Sequence, residues 1–310
     1  MRFDLHGMVW ESEVDLHHRT ARGDARADLI LTLGERLLVD DTAPPGEVLA
    51  HLSQPDGVPM YTFTRSGTGV CLRFHRLCEF ALDPSLSTAV CHLAPGTDIG
   101  YVQVLATGML ASTVLHLRHH PVLHASAVEL DGAAIALTAA SGMGKSTLAR
   151  LLCATGGRLI SDDVLRVDAL GDGPATCYAG SSETRLREKA AYLVTQHDQA
   201  RTTADGRRAV SSEVSDDRVP LRALVVPYPT RELTTIDLTR LSPQQAVTEL
   251  MRFPRIVGWR DPSTTAELFQ HLVRLVRAVP VLRAAVPWRD ELTAADGWAL
   301  RSGVDTALLL

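Results

Sequence analysis

The 310-residue sequence has almost no lysine: Lys145 and Lys189 are the only two, although lysine and arginine together number 31. Arginine carries nearly all the positive charge, so a lysine placed directly after Gly144 marks a spot where a compact ammonium serves better than a planar fork. Aromatic residues make up only 5%, and none alternates regularly with arginine, which argues against a base-stacking nucleic-acid platform. The net charge of −5 argues against a chain built to grip nucleic acid or an anionic surface. Cysteines are few, odd in number and without CxxC spacing. Cys71, Cys78, Cys91, Cys153 and Cys177 therefore suggest neither a disulfide framework nor a zinc knuckle, and read as reduced small hydrophobes. No apolar run is read as approaching the roughly 18 to 20 residues of a membrane span, and "MRFDLHGMVWESEV" lacks the pattern of a signal peptide. A cytoplasmic protein with no membrane or nucleic-acid partner is expected.

Hydrophobic residues at 45% and charged residues at 22% describe a folded chain, long enough for one large domain or two small ones. Residues 1–115 hold strand-like pieces, such as "MYTFTRSGTGVCLRF" from Met60 and "STAVCHLAP" from Ser87, separated by Pro, Gly and Asp. They are read as a mixed α/β, β-rich N-terminal region that selects substrate or packs. Residues 116–310 are read as the catalytic domain. The histidines of "HLRHHPVLH" (His116, His119, His120 and His124) are interrupted by proline and lack a Cys or carboxylate cluster, which speaks against zinc. His17 and His18 read as solvated surface.

The readable chemistry begins near Pro121. "VLHASAVEL" and "AAIALTA" are β-rich runs joined by Asp131-Gly132, a tight hairpin dipeptide that would set His124 opposite Ala139. There "ASGMGKST" follows the GxxxxGK(S/T) phosphate loop, with Ala139 in place of the first glycine. Loop amides cradle phosphates, Lys145 neutralises them and Ser146 reaches a magnesium ion. "KSTLARLLCATGG" then sets Leu148, Leu151 and Leu152 on one helical face and stops at Gly156-Gly157. "RLISDD" follows as a short strand with Asp162 and Asp163 on it, and "VLRVDAL" continues that strand or pairs beside it. Strand, loop, helix and acidic strand fit one βαβ unit. Phosphoryl transfer to a hydroxyl needs both a metal anchor and a base, and adjacent strand residues point to opposite faces, so the two aspartates can divide these tasks.

Further along, "RALVVPYP" and "LTTIDLTRL" read as strands, Ser242-Pro243 caps the helix "PQQAVTELM", and "TTAELFQHLVRLVRAV" is an amphipathic helix. Residues 196–220 are polar and without apolar periodicity, either a disordered insertion or a lid. Glu183 and Glu188 are candidates for a further metal carboxylate, and Arg185 and Arg187 for steadying phosphate charge.

In this order and spacing, "LHASAV", "SGMGKST" and "RLISDD" resemble the catalytic core of the HPr serine kinase/phosphorylase superfamily, whose fold is related to phosphoenolpyruvate carboxykinase. The resemblance covers roughly residues 115–170. "LSPQQAVTELM" and "LVRLVRAVPVLRAAVPW" more loosely resemble the members that phosphorylate lasso-type precursor peptides. The resemblance implies an α/β, HPr-kinase-like P-loop domain that uses ATP and Mg2+. Ser141, Gly142, Met143, Gly144, Lys145, Ser146 and Thr147 would hold the nucleotide. Ser146 and Asp163 would meet the metal, Asp162 would be the general base, and His124 would assist it beside Lys145. The implied activity is transfer of the γ-phosphoryl group to a serine-type hydroxyl, at the C-terminus of a ribosomal precursor peptide or on another hydroxyl-bearing substrate. Ring-forming relatives make a homo-oligomer an open expectation. Alternatives are a P-loop NTPase or nucleotide-sensing protein without a peptide acceptor, and a kinase of HPr or of a small molecule. The glycine-rich signature of HPr kinases is absent; "YAGSSETRLREKAAY" stands in its region.

Overall fold

A computed structural model describes residues 1–169, 173–215 and 218–309. Its contacts form two compact units. The first comprises Met1–His119, Thr203–Asp205 and Ile256–Ala266, and the second His120–Thr202, Gly206–Arg255 and Glu267–Leu310. The sequence divides once, at 115/116; the contacts divide at His119/His120 and give the first unit two downstream segments as well.

The first unit is built on eight strands: β1 (Arg2–Leu5), β2 (Met8–Ser12), β3 (Leu29–Leu33), β4 (Glu47–Ser53), β5 (Pro59–Ser66), β6 (Gly69–Phe74), β7 (Cys78–Leu82) and β8 (Thr88–Leu93). They form one sheet in the order β1-β2-β3-β8-β7-β6-β5-β4. The strand-like pieces of the sequence are β5, β6 and β8. Alternation of buried and half-buried residues, as in Cys78–Leu82, is the pattern of a sheet with one face packed. A helical run follows in α1 (Gly100–Leu105), a π turn (Ala106–Leu110) and α2 (Ala111–Leu117). This run corrects the expectation that no apolar stretch reaches spanning length. Gly100–Leu117 is 18 residues at mean hydropathy 1.2, and 61% of it is buried inside the protein. Its hydroxyls are satisfied one turn back, where Thr107 donates to the Gln103 carbonyl, Ser112 to Gly108 and Thr113 to Met109.

The second unit carries β9 (Val122–Leu123), β10 (Ala125–Leu130), β11 (Ala133–Thr138), α3 (Lys145–Ala154), β12 (Arg158–Ser161), β13 (Leu165–Asp168), β14 (Thr176–Tyr178) and β15 (Glu183–Leu186). After a 3-10 turn at Glu188–Leu193 come β16 (Ala200–Thr202), β17 (Arg208–Ser211), β18 (Arg218–Thr230) and β19 (Asp237–Arg240). The chain closes with α4 (Pro243–Met251), α5 (Pro262–Ala278), β20 (Val281–Pro287) and α6 (Ala294–Leu309). The central sheet runs β12-β10-β11-β18-β14-β13-β9, with β20 beside β18 and β19 beside β20. Its inner strands are buried on both faces, as a sheet covered by helices requires. Along β11, Ala134 and Ala136 join the apolar cluster of Leu250 on α4 and Leu275 on α5. Ile135 and Leu137 join the opposite one, with Leu148, Leu151 and Leu152 of α3 and Leu300 and Val304 of α6.

The predicted hairpin forms in the predicted register, with Ala125 opposite Thr138 and Leu130 opposite Ala133. Asp131 (φ 53°) and Gly132 (φ 81°) both take positive φ, the geometry of the two-residue turn whose twist matches its strands. β12 then returns antiparallel to the other edge of β10. β11 and β12 are therefore parallel to each other with β10 inserted between them, and the end of β11, the start of β10 and the end of β12 share one end of the sheet. Ser242 caps α4 with a full capping box with Gln245.

Three local expectations are corrected. Asp162 and Asp163 lie in a bend past the end of β12, and Asp163 takes φ 79°. The segment "VLRVDAL" neither extends β12 nor pairs with it: β13 pairs with β9 and β14; Leu170, its last residue, is outside the described residues. The 196–220 stretch is not a structureless insertion where described: β16 and β17 lie in it, joined by turns, and complete a small sheet with β15. Its polar sequence hid this because only a few positions, such as Val210, turn into a small apolar cluster with Leu186 and Ala190. Asp216 and Asp217 of that stretch lie outside the described residues.

A Cβ on Gly132 would meet no atom within 4 Å, so Gly132→Ala tests backbone strain alone. It should lower the unfolding free energy by about 1 to 2 kcal/mol, read by urea titration. The secondary structure should be unchanged.

Candidate active site

The loop 139–144 leaves β11 and turns into α3 through two glycines in left-handed conformation, Gly142 (φ 88°) and Gly144 (φ 91°). Gly144 is the cap of α3, and no side chain satisfies the helix's first amides. Those amides and the positive end of the helix dipole favour an anion. Ala139, in the place of the usual first glycine, is fully buried, and its carbonyl accepts a hydrogen bond from Lys145 Nζ at 2.8 Å. The Ala140 carbonyl accepts a second at 3.1 Å. Lys145 is thus folded back over its own loop. Burial pulls its pKa down to about 8; Asp163 and Asp162 oppose that shift, while Arg255 and Arg187 reinforce it.

Beneath the helix start, Asp162 is held on three sides. Its Oδ1 accepts from Ser126 Oγ at 2.5 Å and from Ser146 Oγ at 2.9 Å, and its Oδ2 accepts from the Arg185 backbone N–H at 2.8 Å. Only 7% of Asp162 is exposed, and it does not line the adjoining cavity. Asp163 points the other way. Its Oδ1 lies 3.2 Å from His124 Nε2, and its Oδ2 accepts from Arg185 at 3.1 Å and from Arg255 at 2.9 Å. Burial would raise the Asp163 pKa, but Arg255, the His124 hydrogen bond and Arg185 hold it well below the usual carboxylate range. Burial lowers the His124 pKa, opposed by Asp163 and reinforced by the charges of Lys145 and Arg255, so the imidazole is neutral near pH 7.

His124, the loop from Ser141 to Thr147 and Asp163 all line one cavity of about 760 Å³, large enough for a nucleotide. Both lysines of the chain line it. One part of its wall is apolar, with Pro229, Val286, Pro287 and the exposed Trp288. The structure thus brings His124, the loop residues Ser141–Thr147 and Asp163 to one cavity, with Asp162 beneath the loop and outside it. The two glutamates separate: Glu183 is paired bidentately with Arg201, whereas Glu188 lines the cavity. Among the described residues no group of three His, Cys, Asp or Glu could hold a metal. The hard oxygen that the loop presents to the cavity is Ser146 Oγ, backed by Asp162 Oδ1, a sparse set that suits Mg2+ completed by phosphates and water.

Two contributors escaped the sequence reading. Ser126 lies inside "LHASAV", and strand alternation with Ala125 and Ala127 could have put it on the opposite face of the sheet, the one that α3 covers. Arg255 follows α4 in "RFPRIVG", far along the chain from Asp163, and carries no local mark.

The depressed Lys145 pKa has a sign that can be checked. Lys145 must be charged to pair with phosphate, and above pH 8 the free protein must first take up a proton there. Affinity for inorganic tripolyphosphate should therefore weaken by about tenfold per pH unit above pH 8, as one linked proton requires. Lys145→Arg, charged throughout, should flatten that limb in calorimetric titrations.

No family model and no curated protein matches this chain. Among solved structures, that of the Hpr(Ser) kinase/phosphatase from Coxiella burnetii aligns with 61% of this chain and 90% of its own, at 11% identity and a TM-score of 0.34. A TM-score of that size does not establish a shared fold.

Proposed function

We propose that this protein is a Mg2+- and ATP-dependent kinase that transfers the γ-phosphoryl group to a serine-type hydroxyl. The observation that carries this reading is the opposite placement of the two aspartates. Asp162 is hydrogen-bonded to the phosphate-loop serine, whereas Asp163 faces the cavity beside a neutral histidine. A protein that only holds a nucleotide needs the first arrangement but has no use for the second.

Ser146 would meet Mg2+ directly and Asp162 would orient the Ser146 hydroxyl from beneath, the metal supplying charge neutralisation across the phosphates when bound. Neither aspartate keeps its expected role: both Asp162 oxygens are already hydrogen-bonded and the residue does not line the cavity, so it is not placed to act as the base. Asp163, ionised and flanked by Arg185 and Arg255, has too low a pKa to be an effective base. His124 fits that role better. It would take the acceptor hydroxyl's proton while Asp163 steadies the resulting imidazolium, as an aspartate beside a histidine can. The acceptor oxygen would form its bond to the γ-phosphorus as the bond to the bridging oxygen breaks, and ADP would carry the displaced charge. Lys145 would follow the phosphates, exchanging its two carbonyl partners for charge-assisted ones.

The resemblance of "LHASAV", "SGMGKST" and "RLISDD" supports a protein or peptide serine as acceptor, and the looser resemblance of the C-terminal third supports the C-terminus of a lasso-type precursor peptide.

Intact-mass spectrometry of serine- and threonine-ended peptides incubated with the protein and Mg-ATP should show a phosphate adduct that Lys145→Ala abolishes. His124→Ala and Asp163→Asn should each slow transfer by at least roughly two orders of magnitude, the scale of a general base. Asp162→Asn should instead raise the magnesium concentration needed. Steady ATP hydrolysis with no adduct would favour a hydrolase. Full activity of His124→Ala, with Asp162→Asn inert at saturating magnesium, would return the base to Asp162.

A further inference from the structure

Arg185 and Arg187 are equal candidates in the sequence for steadying phosphate charge, and their surroundings separate them. Arg185 is committed to Asp163 through its side chain and to Asp162 through its backbone N–H. Arg187 is exposed and donates from Nη2 to Ser141 Oγ at 2.8 Å. Among the described residues no carboxylate pairs with it. Its guanidinium lies directly on the phosphate loop: a Cβ built on Gly142 would stand 3.7 Å from Nη1 and 3.9 Å from Cζ. The backbone around it is anchored, since Leu186 before it and Ala190 after it are buried in one apolar cluster. The side chain is thus a cation on a fixed base, resting on a neutral hydroxyl at the mouth of an anion cradle.

We propose that Arg187 is a phosphate-contacting catalytic residue, an arginine supplied by the chain itself that leaves Ser141 to pair with the terminal phosphoryl group during transfer. This rests on the reading of the loop as a nucleoside triphosphate site. The exchange is favourable because a single hydrogen bond from the guanidinium to a neutral hydroxyl is replaced by a bidentate pair with an anionic acceptor. A structural role would be narrower: stapling the loop shut through Ser141. Such a staple would act on every ligand of the loop alike, whereas a residue that meets the terminal phosphoryl group must distinguish a triphosphate from a diphosphate.

The test uses the full chain with Mg2+ and compares wild type, Arg187→Gln and Arg187→Lys. Calorimetry measures binding of ADP and of a β,γ-imido ATP analogue, and a coupled assay measures ATP consumption. Arg187→Gln should lose roughly tenfold more affinity for the triphosphate analogue than for ADP. Its turnover should fall by about 10³-fold, the lower end for an arginine of this type. Arg187→Lys should recover part of the discrimination. Unchanged affinities, or equal losses for the two nucleotides, with an unshifted thermal unfolding midpoint, would overturn the proposal and leave the kinase reading intact. Failure of the wild-type protein to bind either nucleotide would overturn the nucleotide reading itself, and this proposal with it.

Discussion

The second unit's chemistry depends on one carboxylate, that of Asp162. Its three hydrogen bonds come from the first strand of the hairpin, from the start of α3 and from the backbone of β15. Three stretches far apart in sequence are thereby fixed to the bend after β12. A buried carboxylate is costly unless its lone pairs are matched, so the arrangement holds only when all three donors are in place. This ties the loop before α3, the aspartate pair and Arg185 into one hydrogen-bonded group.

The bend that serves Asp162 also turns Asp163. Two consecutive residues on a regular strand would face opposite sides of the sheet, and one of them would be lost to a packed layer. Ending β12 at Ser161 and giving Asp163 a positive φ lets both carboxylates act at the same end of the sheet. A non-glycine residue in that conformation stores backbone strain. Here the hydrogen bond with His124 and the ion pairs with Arg185 and Arg255 oppose it.

The sheet order explains why residues on either side of the loop meet. Because β10 is inserted between the parallel β11 and β12, His124 and Ser126 sit between the phosphate loop and the aspartates. The tight turn at Asp131-Gly132 sets that register, and a slip of one residue would turn Ser126 away from Asp162. A turn at the far end of the hairpin thus sets the geometry of the site.

Local rules determined much of this from the sequence alone. Asp131-Gly132 dictated a two-residue turn, Ser242-Pro243 a helix start, and Gly144-Lys145-Ser146 the turn from a strand into a helix, because each depends on backbone sterics and neighbouring hydrogen bonds only. The β16–β17 pair was illegible because its burial is slight and its partner strand, β15, is set by tertiary pairing. Arg255 was invisible for a related reason: nothing in "RFPRIVG" reveals that the chain will return there to Asp163. Which aspartate lies under the loop and which faces the cavity was decided only in three dimensions, since the two differ by one position in sequence. A single bend in the backbone, stabilised by donors from distant segments, gives them opposite surroundings.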